Sequence, residues 1–183
     1  MLTIIVLIIL LLGFYQGYRQ GLAMQLIRLL GYLISFFVAS RYYEAISKWA
    51  EMLIPFPAIQ PDTEFTLYNE ATSFLINDAF YRVVSFIFIL VIGYIVTRIV
   101  SVFFSRVQYY NLLDSANGIA GGIVNLLITY IMVFLFLFVL SLLPIEWIQQ
   151  QFVNNPLLYW IVSQTPILSD LAANAWLNAN PFS

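Results

Sequence analysis

The chain has 183 residues, of which 62% are hydrophobic and only 9% charged. A soluble domain usually carries about 25% charged residues, so an ordinary water-soluble globule is excluded and solvation by lipid is indicated. The formal charge of -2, with no basic patch interleaved with aromatics, removes nucleic acid as a partner, and the absence of Cys and His removes disulfides, thiol nucleophiles and Cys/His metal sites.

A helix rises about 1.5 Å per residue and a bilayer's hydrocarbon core is about 30 Å thick, so roughly 20 apolar residues cross it. The first apolar run, residues 2–15, is short, and it reaches across only if it extends through Tyr18. Met1-Leu2-Thr3 carries no basic side chain and Gly13-Phe14-Tyr15-Gln16-Gly17 no small-residue cleavage pattern, so a retained span is expected rather than a secretory signal. A tight connection, Gln16 to Gly21, leads to the second run, residues 22–39, in which Arg28 is the only charge. Residues 41–81 are polar, and Pro55, Pro57 and Pro61 interrupt any helix there. After them Asp62 is placed to cap a helix carrying Phe65, Tyr68, Thr72, Leu75 and Phe80. That spacing predicts an amphipathic helix on the membrane or the bundle, with an ordinary surface helix as the alternative.

The third run, residues 83–104, holds Arg98 near its end. The fourth, residues 119–143, has no charge, and Asn125 is its strongly polar side chain. Beyond Pro144 come Trp147, Tyr159, Trp160 and Trp176, residue types that favour the membrane–water interface. This tail reads as one or two interfacial helices interrupted at Pro156 and Pro166, with a re-entrant segment as the less favoured alternative. The expected fold is thus an all-α integral membrane protein. Its membrane domain, residues 1–143, has four transmembrane helices (about residues 2–18, 22–40, 82–105 and 118–143) and an amphipathic loop helix within the polar loop 41–81; residues 144–183 form an interfacial tail. Arg19, Arg28, Arg98 and Arg106 gather toward one side against Arg41, Lys48 and Arg82 on the other. The basic residues therefore favour cytoplasmic short connections and outside termini.

Small residues recur every fourth position: Gly13, Gly17 and Gly21; Gly31, Ser35 and Ala39; Gly93, Thr97, Ser101 and Ser105; Gly118 and Gly122. In lipid such stripes let backbones approach, within one bundle or, alternatively, between copies or around a pore. Gly17 and Gly21 can instead serve the turn. With this topology Arg28, Arg98 and Asn125 lie at similar depth, roughly 10–12 Å from the connections, and Asp114 lies near the same surface. A charge at the bilayer centre costs at least about 3 kcal/mol, so it pairs, snorkels or lines a wet cavity. We expect a polar cluster in which Asp114 or Asn125 approaches Arg28 or Arg98, against the alternative that both arginines snorkel independently. Asp62, Glu64, Glu70 and Asp78 read as solvated loop charges rather than a catalytic pair. The glycines at 118, 121 and 122 lack the lysine and strand context of a phosphate loop. Neither a catalytic constellation nor a cofactor is expected.

Gly17-Tyr18-Arg19-Gln20-Gly21-Leu22, after a short apolar N-terminus, resembles the Gly-aromatic-Arg-x-Gly signature of the colicin V production protein family. Phe37-Val38-Ala39-Ser40-Arg41-Tyr42-Tyr43 is similar to that family's exit from its second span, and Asp114 to Gly122, with glycines at 118 and 122, to the start of its last. The resemblance covers residues 1–143 and, more loosely, 157–160. It implies a multi-pass protein of the bacterial cytoplasmic membrane with an accessory or scaffold role in bacteriocin production or export and in envelope maintenance. It implies no enzyme activity, and its partners would be the lipid bilayer and a secretion or envelope complex or further copies of the chain. For Gly17, Arg19, Gly21, Gly118 and Gly122 it implies only that they occupy family positions. The chain departs from the family in three places: no acidic residue near Thr3, and Ser115 and Asn125 where arginines are common. A small oligomeric channel or transporter subunit is the second reading, carried by the glycine stripes and the intramembrane arginines; a membrane enzyme is a distant third.

Overall fold

The computed structural model describes residues 2–57, 65–68, 70–104 and 115–177, with the side chains of 70–74 outside that description. All regular structure among these residues is helical: α1 (Leu2–Leu53), α2 (Glu70–Phe103), α3 (Ser115–Leu142), α4 (Glu146–Asn154), α5 (Pro156–Gln164), α6 (Leu168–Ala172) and a π-helical turn, Ala173–Leu177. Long proline-free runs rich in Leu, Ile, Val and Phe favour this outcome, because a helix satisfies every backbone donor and acceptor within itself. Three helices, Leu2–Leu53, Leu75–Phe103 and Ser115–Leu142, are long and apolar enough to cross a membrane.

The first two apolar runs of the sequence are both contained in α1. Gly21 separates them, with φ 73° and ψ 166°. That backbone region is essentially restricted to glycine, because a Cβ collides with the neighbouring peptide groups. The chain folds back there into an N-terminal arm, residues 2–20, and a C-terminal arm, residues 22–53. Gln16 and Tyr32 would lie about 24 Å apart on an unbroken helix. Gln16 nevertheless meets the Arg98 side chain, and Tyr32 stacks on Tyr94, one turn before Arg98 on α2.

The chain forms two compact units. The first comprises Thr3–Arg41 and Ile87–Val133. Here the N-terminal arm runs antiparallel to α3: Gly13 lies on Thr129, Gly17 on Gly121 and Tyr18 on Gly118. The C-terminal arm runs antiparallel to α2, with Arg28 at Ser101, Gly31 on Thr97 and Ser35 on Gly93. The small-residue stripes are thus consumed by contacts within one chain, at separations that no side chain larger than hydrogen would permit at Gly17 or Gly121. The unit is apolar outside and polar inside. Leu11 is 69% exposed and Phe37 72%, whereas Gln25, Arg28 and Asn125 are buried at 0, 5 and 4%. A water-soluble bundle has the opposite arrangement; this one is stable only where its outer surface meets hydrocarbon.

The second unit comprises Tyr42–Phe86 and Phe134–Ser183. Its core includes Phe138, Leu142, Phe152, Leu158 and Leu177. Trp176 lies against Phe86 and Phe138, with ring centroids 5.3 and 5.5 Å away. The Tyr68 hydroxyl meets the Ser141 hydroxyl at 2.7 Å, and burial pushes this phenol well above its ordinary range. Gln149 closes the end of α3: its Nε2 donates to the carbonyls of Ser141 (3.0 Å) and Leu143 (2.8 Å). Its Oε1 accepts from the Thr66 amide at 3.1 Å.

Several local expectations resolve differently. Helix continues past Ala39 to Leu53, so the first part of the 41–81 loop is helical. Residues 65–68 are non-helical, and helix begins at Glu70 and passes without a break into the apolar run, so Leu75 and Phe80 belong to α2 itself. The apolar spacing there serves burial of Ile76, Ala79 and Phe80. In the tail, Trp147 and Trp160 are exposed, whereas Trp176 is a core residue. Helix breaks fall at Asn155, whose extended backbone precedes Pro156 at the first turn of α5, and at residues 165–167.

Candidate functional site

Within the first unit the two α1 arms, α2 and α3 border an open cavity of about 820 Å³. Its polar wall carries Tyr15, Gln16, Arg19 and Gln20 from the N-terminal arm, Tyr32 from the C-terminal arm, Tyr94 and Arg98 from α2, and Asn125 and Thr129 from α3. The remaining wall is apolar, with Ile9, Leu12, Val91, Ile128 and Met132.

Arg98 is the principal charge on this wall. Its Nη2 donates to Gln16 Oε1 at 2.9 Å, and its guanidinium lies 5.0 Å from the centre of the Tyr94 ring. Tyr94 in turn stacks on Tyr32, with centroids 5.7 Å apart and planes 10° from parallel. Arg98 Nε is buried and makes no hydrogen bond among the described residues. Arg28 stands one layer behind, joined to the wall through Gln20. Its Nη1 donates to Gln20 Oε1, and its Nε to Ser101 Oγ at 3.3 Å. Gln20 Oε1 also accepts from Gln25 Nε2 at 2.9 Å. The two guanidiniums repel one another. Their hydrogen-bond partners are glutamines, a serine and aromatic faces, which accept protons or offer π-density but cancel no charge. Arg19 completes the positive wall, 6.0 Å from the Tyr15 ring centre.

Asn125 has a different task. Its Nδ2 donates to the Gly13 carbonyl at 2.6 Å, and its own carbonyl accepts from Thr129 Oγ1 at 2.7 Å. It ties the N-terminal arm to α3 at their closest approach. At the fold-back, the Leu22 amide donates to Asn117 Oδ1 at 2.9 Å.

Of the residues singled out in the sequence, Arg98, Arg19 and Asn125 line one cavity, and Arg28 touches it through Gln20. Asp114 lies outside the described residues. Gly17, Gly21, Gly118 and Gly122 form the contact between the N-terminal arm and α3. Sequence reading missed Gln16, Gln20, Tyr32 and Tyr94. The signals were present: Gln16 and Gln20, Arg28 and Tyr32, and Tyr94 and Arg98 are each four apart and so share a helix face. Gln16 and Gln20 read as turn residues because the helix runs farther than its apolar stretch, up to Gly21.

The described residues contain no cluster of acidic side chains able to hold a metal ion. No solved structure matches the chain. An uncharacterized transmembrane protein, YshB, of Bacillus subtilis strain 168 is 30% identical over 179 residues, covering 96% of this chain and 97% of that protein. The sequence profile of the colicin V production protein family matches residues 2–166, and that span takes in the Gly21 fold-back and every residue of the cavity. The chain is a membrane protein belonging to the colicin V production protein family.

Proposed function

We propose that this protein is a non-enzymatic scaffold of the bacterial cytoplasmic membrane that supports production or export of a peptide toxin and maintenance of the envelope. Family membership over residues 2–166 is the observation that carries this reading. The internal use of the small-residue stripes fits it as well, since the apolar outer faces of the helices are left free for lipid or for the helices of a partner complex. Each arm of α1 crosses the bilayer separately in this reading, making four crossings with both termini outside. A fold-back at Gly21 that brings Gln16 to Arg98 and Tyr32 to Tyr94 supports the count.

The functional test is deletion of the gene in its host, with secreted toxin titre and sensitivity to envelope stress as readouts. A fall in either, restored by the wild-type gene, supports the scaffold role; no change in both refutes it. For orientation, single cysteines at Asn69 and Ser183 in this otherwise cysteine-free chain should react with an impermeant thiol reagent in intact cells. Protection of both sites reverses the topology. The polar cavity favours a second reading, a channel or transporter subunit. Anion flux from liposomes containing the purified protein would support that alternative over the scaffold.

A further inference from the structure

A buried arginine and a half-buried one in the same membrane domain call for something to offset their charge. Moving a guanidinium into hydrocarbon costs several kcal/mol unless it is paired, hydrated or able to reach the headgroups. Arg28 is 5% exposed, so it does not reach out to water. Arg98 has one nitrogen, Nε, buried with no partner among the described residues. Among the described residues, the side-chain hydrogen bonds given for the pair go to neutral oxygens, those of Gln16, Gln20 and Ser101. The glutamines fix both guanidiniums in position without themselves cancelling any charge. The cavity they border is a two-part container, with Arg98 and Arg19 on the polar wall and Leu12, Val91, Ile128 and Met132 on the apolar one.

We propose that this cavity binds the phosphate group of an amphiphile, with the phosphate seated on Arg98 and the hydrocarbon tail along Ile128 and Met132. Arginine suits this task because its planar guanidinium donates parallel hydrogen bonds to a phosphate, and Arg98 lines the cavity. The Tyr94 ring, 5.0 Å from the guanidinium, helps to hold it in place. A volume of about 820 Å³ lies within the range of small-molecule sites, enough for a headgroup and part of a chain but not for a whole phospholipid. The same phosphate chemistry is available from a membrane lipid or from a soluble phosphate ester, and the experiment distinguishes them.

The full-length protein is placed in phosphatidylcholine bicelles, and thermal stability and lipid retention by native mass spectrometry are followed as phosphatidic acid is added. A parallel titration uses inorganic phosphate. The expected result is saturable stabilisation and retained phosphatidic acid in the wild type. Binding should weaken about tenfold or more in Arg98→Gln, which removes the charged donor on which the phosphate is seated. Ile128→Trp, which fills the apolar end and leaves every arginine intact, should weaken phosphatidic acid but not inorganic phosphate. Stabilisation by inorganic phosphate alone, lost in Arg98→Gln, assigns the site to soluble phosphate esters. No preference for the anionic lipid or phosphate in the wild type overturns the proposal. So does an anionic preference that survives both substitutions, since the lipid would then be held by the outer basic residues. If Arg98→Gln does not fold, Ile128→Trp decides by the same readout.

Discussion

Gly17 offers the sharpest test of how the first unit is held together. A Cβ placed there would lie 2.4 Å from the Gly121 carbonyl oxygen and 2.5 Å from Asn125 Cβ, about 1 Å short of ordinary contact. The obstacle is largely backbone, so Gly17→Ala must push the N-terminal arm away from α3. Overpacking of this kind costs about 1–3 kcal/mol. The displacement also stretches the 2.6 Å bond from Asn125 to the Gly13 carbonyl, and an interhelical hydrogen bond in a membrane contributes about 0.6 kcal/mol. A total of about 2–3 kcal/mol follows. Gly118→Ala is the matched control. Its nearest neighbours are Tyr18 ring atoms at 3.0 and 3.1 Å and the Tyr18 carbonyl oxygen at 3.2 Å. Small shifts of the ring and a few tenths of an ångström of backbone relieve those contacts, so its cost should stay below about 1 kcal/mol. Reversible unfolding in mixed micelles, followed by circular dichroism against the mole fraction of dodecyl sulfate, measures both. Equal destabilisation by the two substitutions, or none by Gly17→Ala, would refute the proposed close approach of α1 and α3.

Gly21→Ala should cost about 1–3 kcal/mol in the same assay, because φ 73°, ψ 166° is closed to a residue with a Cβ. Gln149→Leu leaves the Ser141 carbonyl without its Nε2 donor and releases Thr66, and about 1–3 kcal/mol of local stability should be lost. Faster hydrogen exchange confined to the end of α3 and to α4 would register that loss; unchanged protection there would contradict it. Tyr68 gives a pH dependence. Its folded-state pKa lies above the ordinary value of 10.0, so the stabilisation is complete below that value and is lost as pH rises beyond it. An ultraviolet difference titration of wild type against Tyr68→Phe should show the Tyr68 phenol still protonated at a pH where exposed tyrosines have ionised. Ionisation together with them would mean that the Tyr68 hydroxyl is not buried.

Arg98 and Asn125 stood out in the sequence because a charge or an amide is conspicuous in an apolar helix. Their neighbours did not stand out. Tyr32 and Tyr94 are ordinary members of a membrane helix until they are seen stacked beside the guanidinium. Trp176 reads as an interfacial residue and Gln149 is not singled out by the sequence, yet Gln149 closes the end of α3 and Trp176 fills the core of the second unit. Their environments are made by chain segments dozens of residues away, and local pattern carries no information about such contacts.

Composition and apolar run length determined that this chain is helical and lives in lipid, because only internally hydrogen-bonded segments with so few charges are stable there. The repeat of small residues every fourth position likewise marked in advance which helix faces would meet. Tertiary structure alone decided which stripe met which, Gly17 on Gly121 and Gly31 on Thr97, and that the chain reverses at Gly21. It alone gathered Gln16, Gln20, Tyr32 and Arg98 around one cavity. The physical reason is that hydrophobic transfer has no direction. It draws every apolar helix into the membrane alike, while the choice of partner rests on contacts of a few ångströms that form only once the helices are side by side.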